Sequence, residues 1–328
     1  MLSDSINESS IQLTQNGKLR HLVSLKNLEK NILMKLLYEA QEYTYLKRLP
    51  DRLIARNQQH TIANLFFEPS TRTSTSFEIA AQRLGFNSIN FDIGNSSGKK
   101  GESLLDTVMT LKSMGVDTFV IRHKETGIYS QLIQEIGDKC IIINAGEGKL
   151  SHPTQGLLDL LTIQQAKETF ENLIVTIVGD IAHSRVARST TEGLTIMGVK
   201  EIRLVSPKEF RPDEKLTPMT KHFVSLNEGL ENADVVMALR IQHERINDTN
   251  NIDLNDYIKN YRITHAAMKI AASDAIIMHP GPINRNVEIE SSLADSEQSV
   301  ILKQVTNGVA VRMAILNELA KNHTGDCD

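Results

Sequence analysis

Eight short apolar runs alternate with helical patterns along this chain, and that alternation restricts its fold more than any other feature. The runs fall at 61–67, 88–93, 118–121, 140–144, 173–178, 201–205, 234–239 and 275–278. Between them apolar residues recur at three- and four-residue spacing, as on one face of a helix. Gly85, Gly115 and Gly137 each stand just before the next run, where helices stop. Strands alternating with helices predict parallel sheet. A helix over about 25–46 precedes the first strand, and 294–321 follows the last as helix that packs back on the body. The longest helical pattern between strands, 153–167, divides them into two sets of four. Eight such units also fit a closed barrel, but barrel phosphate sites usually follow the last two strands. Here the strongest polar signature follows the first strand, and 328 residues suit two open sheets. The expected fold is therefore α/β, with two doubly wound parallel-sheet domains joined by helices. One covers 17–160 and is rejoined by a C-terminal helix at about 300–321; the other covers 161–299; residues 1–16 form a flexible N-terminal tail.

That signature is Ser70-Thr71-Arg72-Thr73, placed where the first strand turns into a helix with the apolar face Phe77, Ala80, Ala81 and Leu84. A helix N-terminus offers unpaired N–H groups and the positive end of the dipole. Three hydroxyls and a guanidinium added there suit a small, doubly charged phosphate. The segment lacks the glycines and lysine of a P-loop, so a nucleotide is not the natural ligand. Plain helix capping needs one Ser or Thr, and an arginine in the first turn opposes the dipole.

The other unusual polar clusters also follow strands. Ser96, Ser97, Lys99 and Lys100 follow the second, Arg122-His123 the third, and His152-Pro153-Thr154-Gln155 the fourth. Asp180, His183 and Arg185 follow the fifth, Arg240 and Gln242 the seventh, and His279-Pro280-Gly281-Pro282 the eighth. Singly, each has an ordinary explanation as a solvated loop, a snorkelling arginine or a helix boundary. Together they occupy the carboxyl ends of strands, where open α/β sheets bind ligands, which places a site between the two halves. Arg72, Arg122, Arg185 and Arg240 supply planar forks for phosphate and carboxylate. No carboxylate pair, Ser-His-Asp order or metal motif accompanies them. The implied chemistry is to hold anionic substrates in register and to stabilise charge on an oxygen.

Composition narrows the setting. A net charge of −4 without a basic block excludes nucleic acid as an expected partner. No apolar stretch approaches the roughly 20 residues that span a bilayer, and the N-terminal residues lack a signal-peptide core. Two cysteines provide neither a disulfide framework nor zinc spacing. The expected location is cytoplasmic.

In order and spacing, the Ser70–Thr73 segment, Lys99-Lys100-Gly101-Glu102, Arg122-His123, His152 to Gln155, Arg185, Arg240-Ile241-Gln242 and His279 to Pro282 resemble the catalytic chains of aspartate carbamoyltransferases. The resemblance covers about 22–319. It implies transfer of the carbamoyl group of carbamoyl phosphate to the amine of L-aspartate, giving N-carbamoyl-L-aspartate and phosphate for de novo pyrimidine synthesis. No cofactor or metal is implied. Ser70, Thr71, Arg72 and Thr73 would hold the phosphate, and Arg122 would reach phosphate and carbonyl oxygens. Thr73, Arg122 and His152 would polarise the carbonyl. Gln155, with carbonyls near Pro280 in the Pro280-Gly281-Pro282 turn, would bind the carbamoyl amino group. Arg185, Arg240 and Gln242, with Gly281 beside them, would hold the carboxylates of aspartate. The leaving phosphate would accept the amine proton. Lys100, with Ser97 or Ser96, sits on a loop that in the family enters a neighbouring subunit's site and meets both substrates. A homotrimer with shared sites follows, with a regulatory chain or a dihydroorotase partner possible in addition.

Ser74 departs from the pattern, standing where many members have arginine, and Arg188 and Arg285 carry no assigned role. Two alternatives are an ornithine carbamoyltransferase and an inactive paralogue acting as scaffold. The ornithine relatives carry a cysteine in the last strand-end motif and lack the Lys100 loop. An inactive paralogue should have lost some of Arg72, Lys100, Arg122 or His152, and all are present.

Overall fold

The computed structural model describes residues 11–46, 49–92, 102–212, 219–241 and 253–324. Its contacts divide the chain into two units: Met1–Leu157 with Asn307–Asp328, and Leu158–Thr306. Helices of seven or more residues and all strands are numbered below in chain order.

The first unit begins with α1 (Lys30–Tyr45) and α2 (Asp51–Asn57), and continues through β1 (Thr61–Phe66), α3 (Thr71–Leu84), β2 (Asn87–Asp92), α4 (Leu104–Ser113), β3 (Thr118–His123), α5 (Ile128–Ile136) and β4 (Ile141–Glu147). Its four strands are parallel in the order β2-β1-β3-β4. Ala63, Leu65, Phe119 and Ile121 on one face, and Ile62, Val120 and Ile143 on the other, are buried, so both faces of the central strands are covered. The amphipathic α3 buries Phe77, Ala80, Ala81 and Leu84 and ends at Gly85 with φ 81°. A Cβ there would lie 2.7 Å from Ile54 Cγ2, so glycine is required both for the left-handed stop and for the approach of α2.

Helix α6 (Pro153–Lys167) leads to the second unit: β5 (Ile174–Val178), α7 (Arg185–Met197), β6 (Glu201–Val205), β7 (Thr220–Phe223), β8 (Val235–Ala238), α8 (Leu254–Tyr261) and β9 (Ile276–Met278). Its sheet is also all parallel, in the order β7-β6-β5-β8-β9. Val178, Val205, Leu230, Val236, Tyr257 and Ile277 form part of its core. Helix α9 (Ile301–Thr324) closes the described chain. The boundaries between units fall inside α6 and α9.

All eight expected strands form, and the α/β architecture of two parallel sheets stands. The second sheet has five strands rather than four. The added one, β7, reads Thr-Lys-His-Phe, lies at the sheet edge and is only partly buried, so it carries no apolar run. The first helix starts at Lys30 rather than 25, because Leu22 bridges to Ile143 and Leu25 opens a turn that closes on Leu28. The last helix starts at Ile301 rather than 294, because Ser299 bridges to Ile277. Residues 11–16, expected in the flexible tail, are instead anchored. Gln12 is fully buried, and its Oε1 accepts from the Val23 and Ser24 N–H groups at 2.6 and 3.0 Å.

Candidate active site

In each sheet the strand order reverses at one point, and there the carboxyl ends of two strands open a crevice. In the first unit that point lies between β1 and β3. Beyond β1, Ser70 occupies the N-cap position of α3 with φ −160°, yet its side chain makes no capping hydrogen bond. Thr71 and Arg72 are exposed and Thr73 is buried, so a short hydroxyl-rich turn bearing one guanidinium meets solvent. Beyond β3, Arg122 is the register partner of Phe66, and its carbonyl accepts from Phe67 N at 2.9 Å. Its guanidinium is held from two sides: Nη1 donates to Ala145 O at 3.2 Å, and Nε lies 3.4 Å from Glu68 Oε2. Burial lowers the pKa of the adjacent His123, whose ring packs edge-on against Phe67 at 4.9 Å.

Strand β4 ends in a turn in which Glu147 N donates to Ser151 O at 2.9 Å. His152 then opens α6, its carbonyl accepting from Gln155 N and Gly156 N. Both His152 and Gln155 are buried. Glu147, itself buried, accepts from Gly127 N at 2.6 Å and ties down the loop after β3.

In the second unit the order reverses between β5 and β8. Gly179 directly follows β5 with φ 135°, and a Cβ there would stand 2.9 Å from Leu239 O. Only glycine lets these strand ends come so close. Asp180 is buried and pairs with His183 Nδ1 at 2.8 Å, fixing the turn that delivers Arg185 to the start of α7. Ser184 caps α7 by accepting from Ala187 N. Arg188 folds back to donate to Ala182 O at 3.4 Å. Arg240 follows β8, half-buried, and its Nε has no hydrogen-bond partner among the described residues. Beyond β9, His279 is buried, Pro280 and Gly281 are half-buried and Pro282 is exposed, with a cis Gly281–Pro282 bond.

The predicted residues therefore fall at two strand-end clusters. Ser70, Thr71, Arg72, Thr73, Arg122, His152 and Gln155 belong to the first sheet, and Arg185, Arg240, Pro280, Gly281 and Pro282 to the second. Ser96, Ser97, Lys99, Lys100 and Gln242 lie outside the described residues. Arg285 is engaged in an exposed fork with Asp295, at 2.6 and 2.8 Å. Glu68, Glu147 and Glu288, which brace these clusters, were not singled out from the sequence; Glu68 and Glu147 are marked there only as acidic residues at a strand's carboxyl end, and Glu288, well beyond β9, by nothing local. Among the described residues, no group of three or more His, Cys, Asp or Glu could hold a metal ion. No described helix is long and apolar enough to cross a membrane.

Comparison with known proteins adds the lineage. Residues 20–165 match the family described as "Aspartate/ornithine carbamoyltransferase, carbamoyl-P binding domain", and residues 171–319 match its "Asp/Orn binding domain". The chain belongs to the aspartate/ornithine carbamoyltransferase family. Among its relatives, this carbamoyltransferase chain is 48% identical over 309 residues to the aspartate carbamoyltransferase catalytic subunit of Ruthia magnifica subsp. Calyptogena magnifica, covering 94% of this chain and 96% of the relative. It is 27% identical to Trypanosoma cruzi aspartate transcarbamoylase solved with carbamoyl phosphate and aspartate, with TM-score 0.81 over 94% of this chain and 99% of that one. Ornithine carbamoyltransferase from Thermus thermophilus shares the fold, with TM-score 0.81 at 21% identity over 92% of this chain and 98% of that one.

Proposed function

We propose that this chain transfers the carbamoyl group of carbamoyl phosphate to the amine of L-aspartate, releasing N-carbamoyl-L-aspartate and phosphate in de novo pyrimidine synthesis. One observation carries this reading within the family. The strand-end cluster of the second unit holds Arg185 and Arg240 and, in its last motif, His279-Pro280-Gly281-Pro282 without a cysteine. Two guanidiniums suit two carboxylates, whereas the cationic side chain of ornithine would be repelled by them.

The first unit holds carbamoyl phosphate. Ser70, Thr71, Arg72 and Thr73 take the phosphate on hydroxyls, backbone N–H groups and a guanidinium at the start of α3. Arg122, braced by Glu68 and Ala145, spans the phosphate and the carbonyl oxygen. Thr73, Arg122 and His152 stabilise negative charge on that oxygen as the tetrahedral intermediate forms. Gln155 and the Pro280 carbonyl accept from the carbamoyl amino group. Arg185, Arg240 and Gln242, beside Gly281, hold the two carboxylates of aspartate, so its amine can meet the carbonyl carbon already oriented. Collapse of the intermediate breaks the bond to phosphate, and the departing phosphate takes the amine proton. The chain works as a cytoplasmic homotrimer in which Ser97 and Lys100 of one subunit complete a neighbour's site.

The purified chain, given carbamoyl phosphate with either L-aspartate or L-ornithine, should carbamoylate aspartate alone. Product from ornithine would refute the assignment of Arg185 and Arg240 to a dicarboxylate. Mixing Lys100→Ala chains with Arg72→Ala chains should restore turnover. No rescue after confirmed subunit exchange would limit each site to one chain.

A further inference from the structure

The turn that bears Pro280 is ordered by a buried network within the second unit. His279 and Glu288 have side chains 0% and 1% exposed, and His279 Nε2 lies 3.1 Å from Glu288 Oε1. On the other side of the ring, Gly281 N donates to His279 Nδ1 at 2.8 Å. A backbone N–H can only donate, so Nδ1 is unprotonated and the ring proton resides on Nε2, facing Glu288. The same Glu288 oxygen accepts from Asn284 N at 2.6 Å. Asn284 Nδ2 in turn donates to Ile241 O at 3.0 Å, next to Arg240. The His279 N–H donates to Gln304 Oε1 at 2.9 Å, and Gln304 Nε2 donates to Asp159 at 2.9 Å.

We propose that Glu288 is a positioning residue: by accepting from His279 Nε2 it fixes the imidazole tautomer whose Nδ1 holds the Gly281 N–H, and so sets the direction of the Pro280 carbonyl. The functional part rests on the carbamoyltransferase reading above; the tautomer part does not. Glu288 touches neither substrate in this account. It acts on a carbonyl whose placement matters because small misalignments of a reacting group cost catalysis steeply. Without the Glu288 acceptor, the ring proton can move to Nδ1, where it would face the Gly281 N–H donor to donor. The turn would then lose its internal hydrogen bond.

The test combines ring ¹⁵N spectra of histidine-labelled full-length protein with steady-state kinetics on Glu288→Ala and Glu288→Gln. The His279 resonances are assigned by their loss in His279→Gln. The parent should show the Nε2–H tautomer at His279. Glu288→Ala should show a tautomer mixture, about a tenfold or larger fall in kcat/KM for carbamoyl phosphate, and recovery of most of that loss in Glu288→Gln. An unchanged tautomer with unchanged kinetics in Glu288→Ala overturns the proposal. Should that variant fail to fold, His279→Asn and His279→Gln decide it. Asn places an acceptor near Nδ1 and should exceed Gln, which cannot, by about tenfold; equal loss in both overturns the proposal. A parent inactive with both amines but showing the fixed tautomer would fail the functional reading alone.

Discussion

The first unit encloses two histidines whose burial makes its stability depend on pH in a window free of most carboxylate titration. His21 is fully buried, and its Nδ1 accepts from Ile142 N at 3.1 Å. Burial, with Arg20 and His323 nearby, lowers its pKa to about 3. His60 is buried with Nε2 2.7 Å from Thr118 Oγ1. Its pKa falls to about 4, again chiefly through burial, with Asp117 opposing and His323, Arg56 and Lys112 adding to the fall. In the unfolded chain both titrate near 6.5. Stability is therefore complete above about pH 6.5 and falls as pH drops, because the unfolded state takes up protons that the native state refuses. Each proton is worth about 1.4 kcal/mol per pH unit, so the pair should cost about 2 kcal/mol between pH 6 and pH 5. The lowered carboxylates Glu201, Asp274, Glu290 and Asp295 lose their stabilisation only as pH falls through and below the unfolded carboxylate range. Glu39, raised by burial, works in the opposite sense but is common to every variant. Urea unfolding followed by circular dichroism at fixed protein concentration, at pH 5.0, 5.5, 6.0 and 7.0, measures the slope. His21→Asn keeps an acceptor near Nδ1 and cannot titrate; it should remove about half the slope. His60→Gln should remove most of the rest, leaving the smaller contribution of His123, whose pKa burial also lowers. A flat profile in the parent, or a full slope in His21→Asn, would refute the reasoning.

Other perturbations test packing and binding. Asp159 is fully buried and accepts from Thr190 Oγ1 and Gln304 Nε2, so Asp159→Ala strands two buried donors and should cost about 2–6 kcal/mol in urea unfolding. Adding Thr190→Val should return part of that loss. Gly179→Ala forces a side chain to φ 135° against Leu239 O; it should cost about 1–3 kcal/mol or more and raise the KM for aspartate. Arg240→Ala should raise the KM for aspartate by about tenfold or more while changing that for carbamoyl phosphate little, and Arg72→Ala should do the reverse. Equal effects on both substrates would break the assignment of units to ligands.

The architecture was legible because parallel strands covered on both faces must be written as apolar runs. β7 escaped because an edge strand needs only one covered face, and Thr-Lys-His-Phe has no run to notice. The break before α9 depends on Ser299 meeting Ile277, a pairing remote in sequence. Gln12 read as tail because nothing local reveals that two backbone donors await its amide oxygen. The clusters could be read because each follows a strand directly. Their braces could not, since the pairing of Glu288 with His279 or of Glu68 with Arg122 requires the folded turn.

The two unit boundaries inside α6 and α9 have a consequence for biogenesis. The ribosome delivers most of the first unit, then all of Leu158–Thr306, and only then the segment that completes the first. That last segment is not ornamental: Asn322 Nδ2 donates to Leu19 O at 2.7 Å, and Lys35 Nζ reaches Glu318 Oε1 at 2.5 Å. At about 5–20 residues per second the nascent first unit waits roughly 7–30 s, with the surface that α9 will cover still open. The later unit is contiguous and can close as soon as it emerges. The half begun first is finished last.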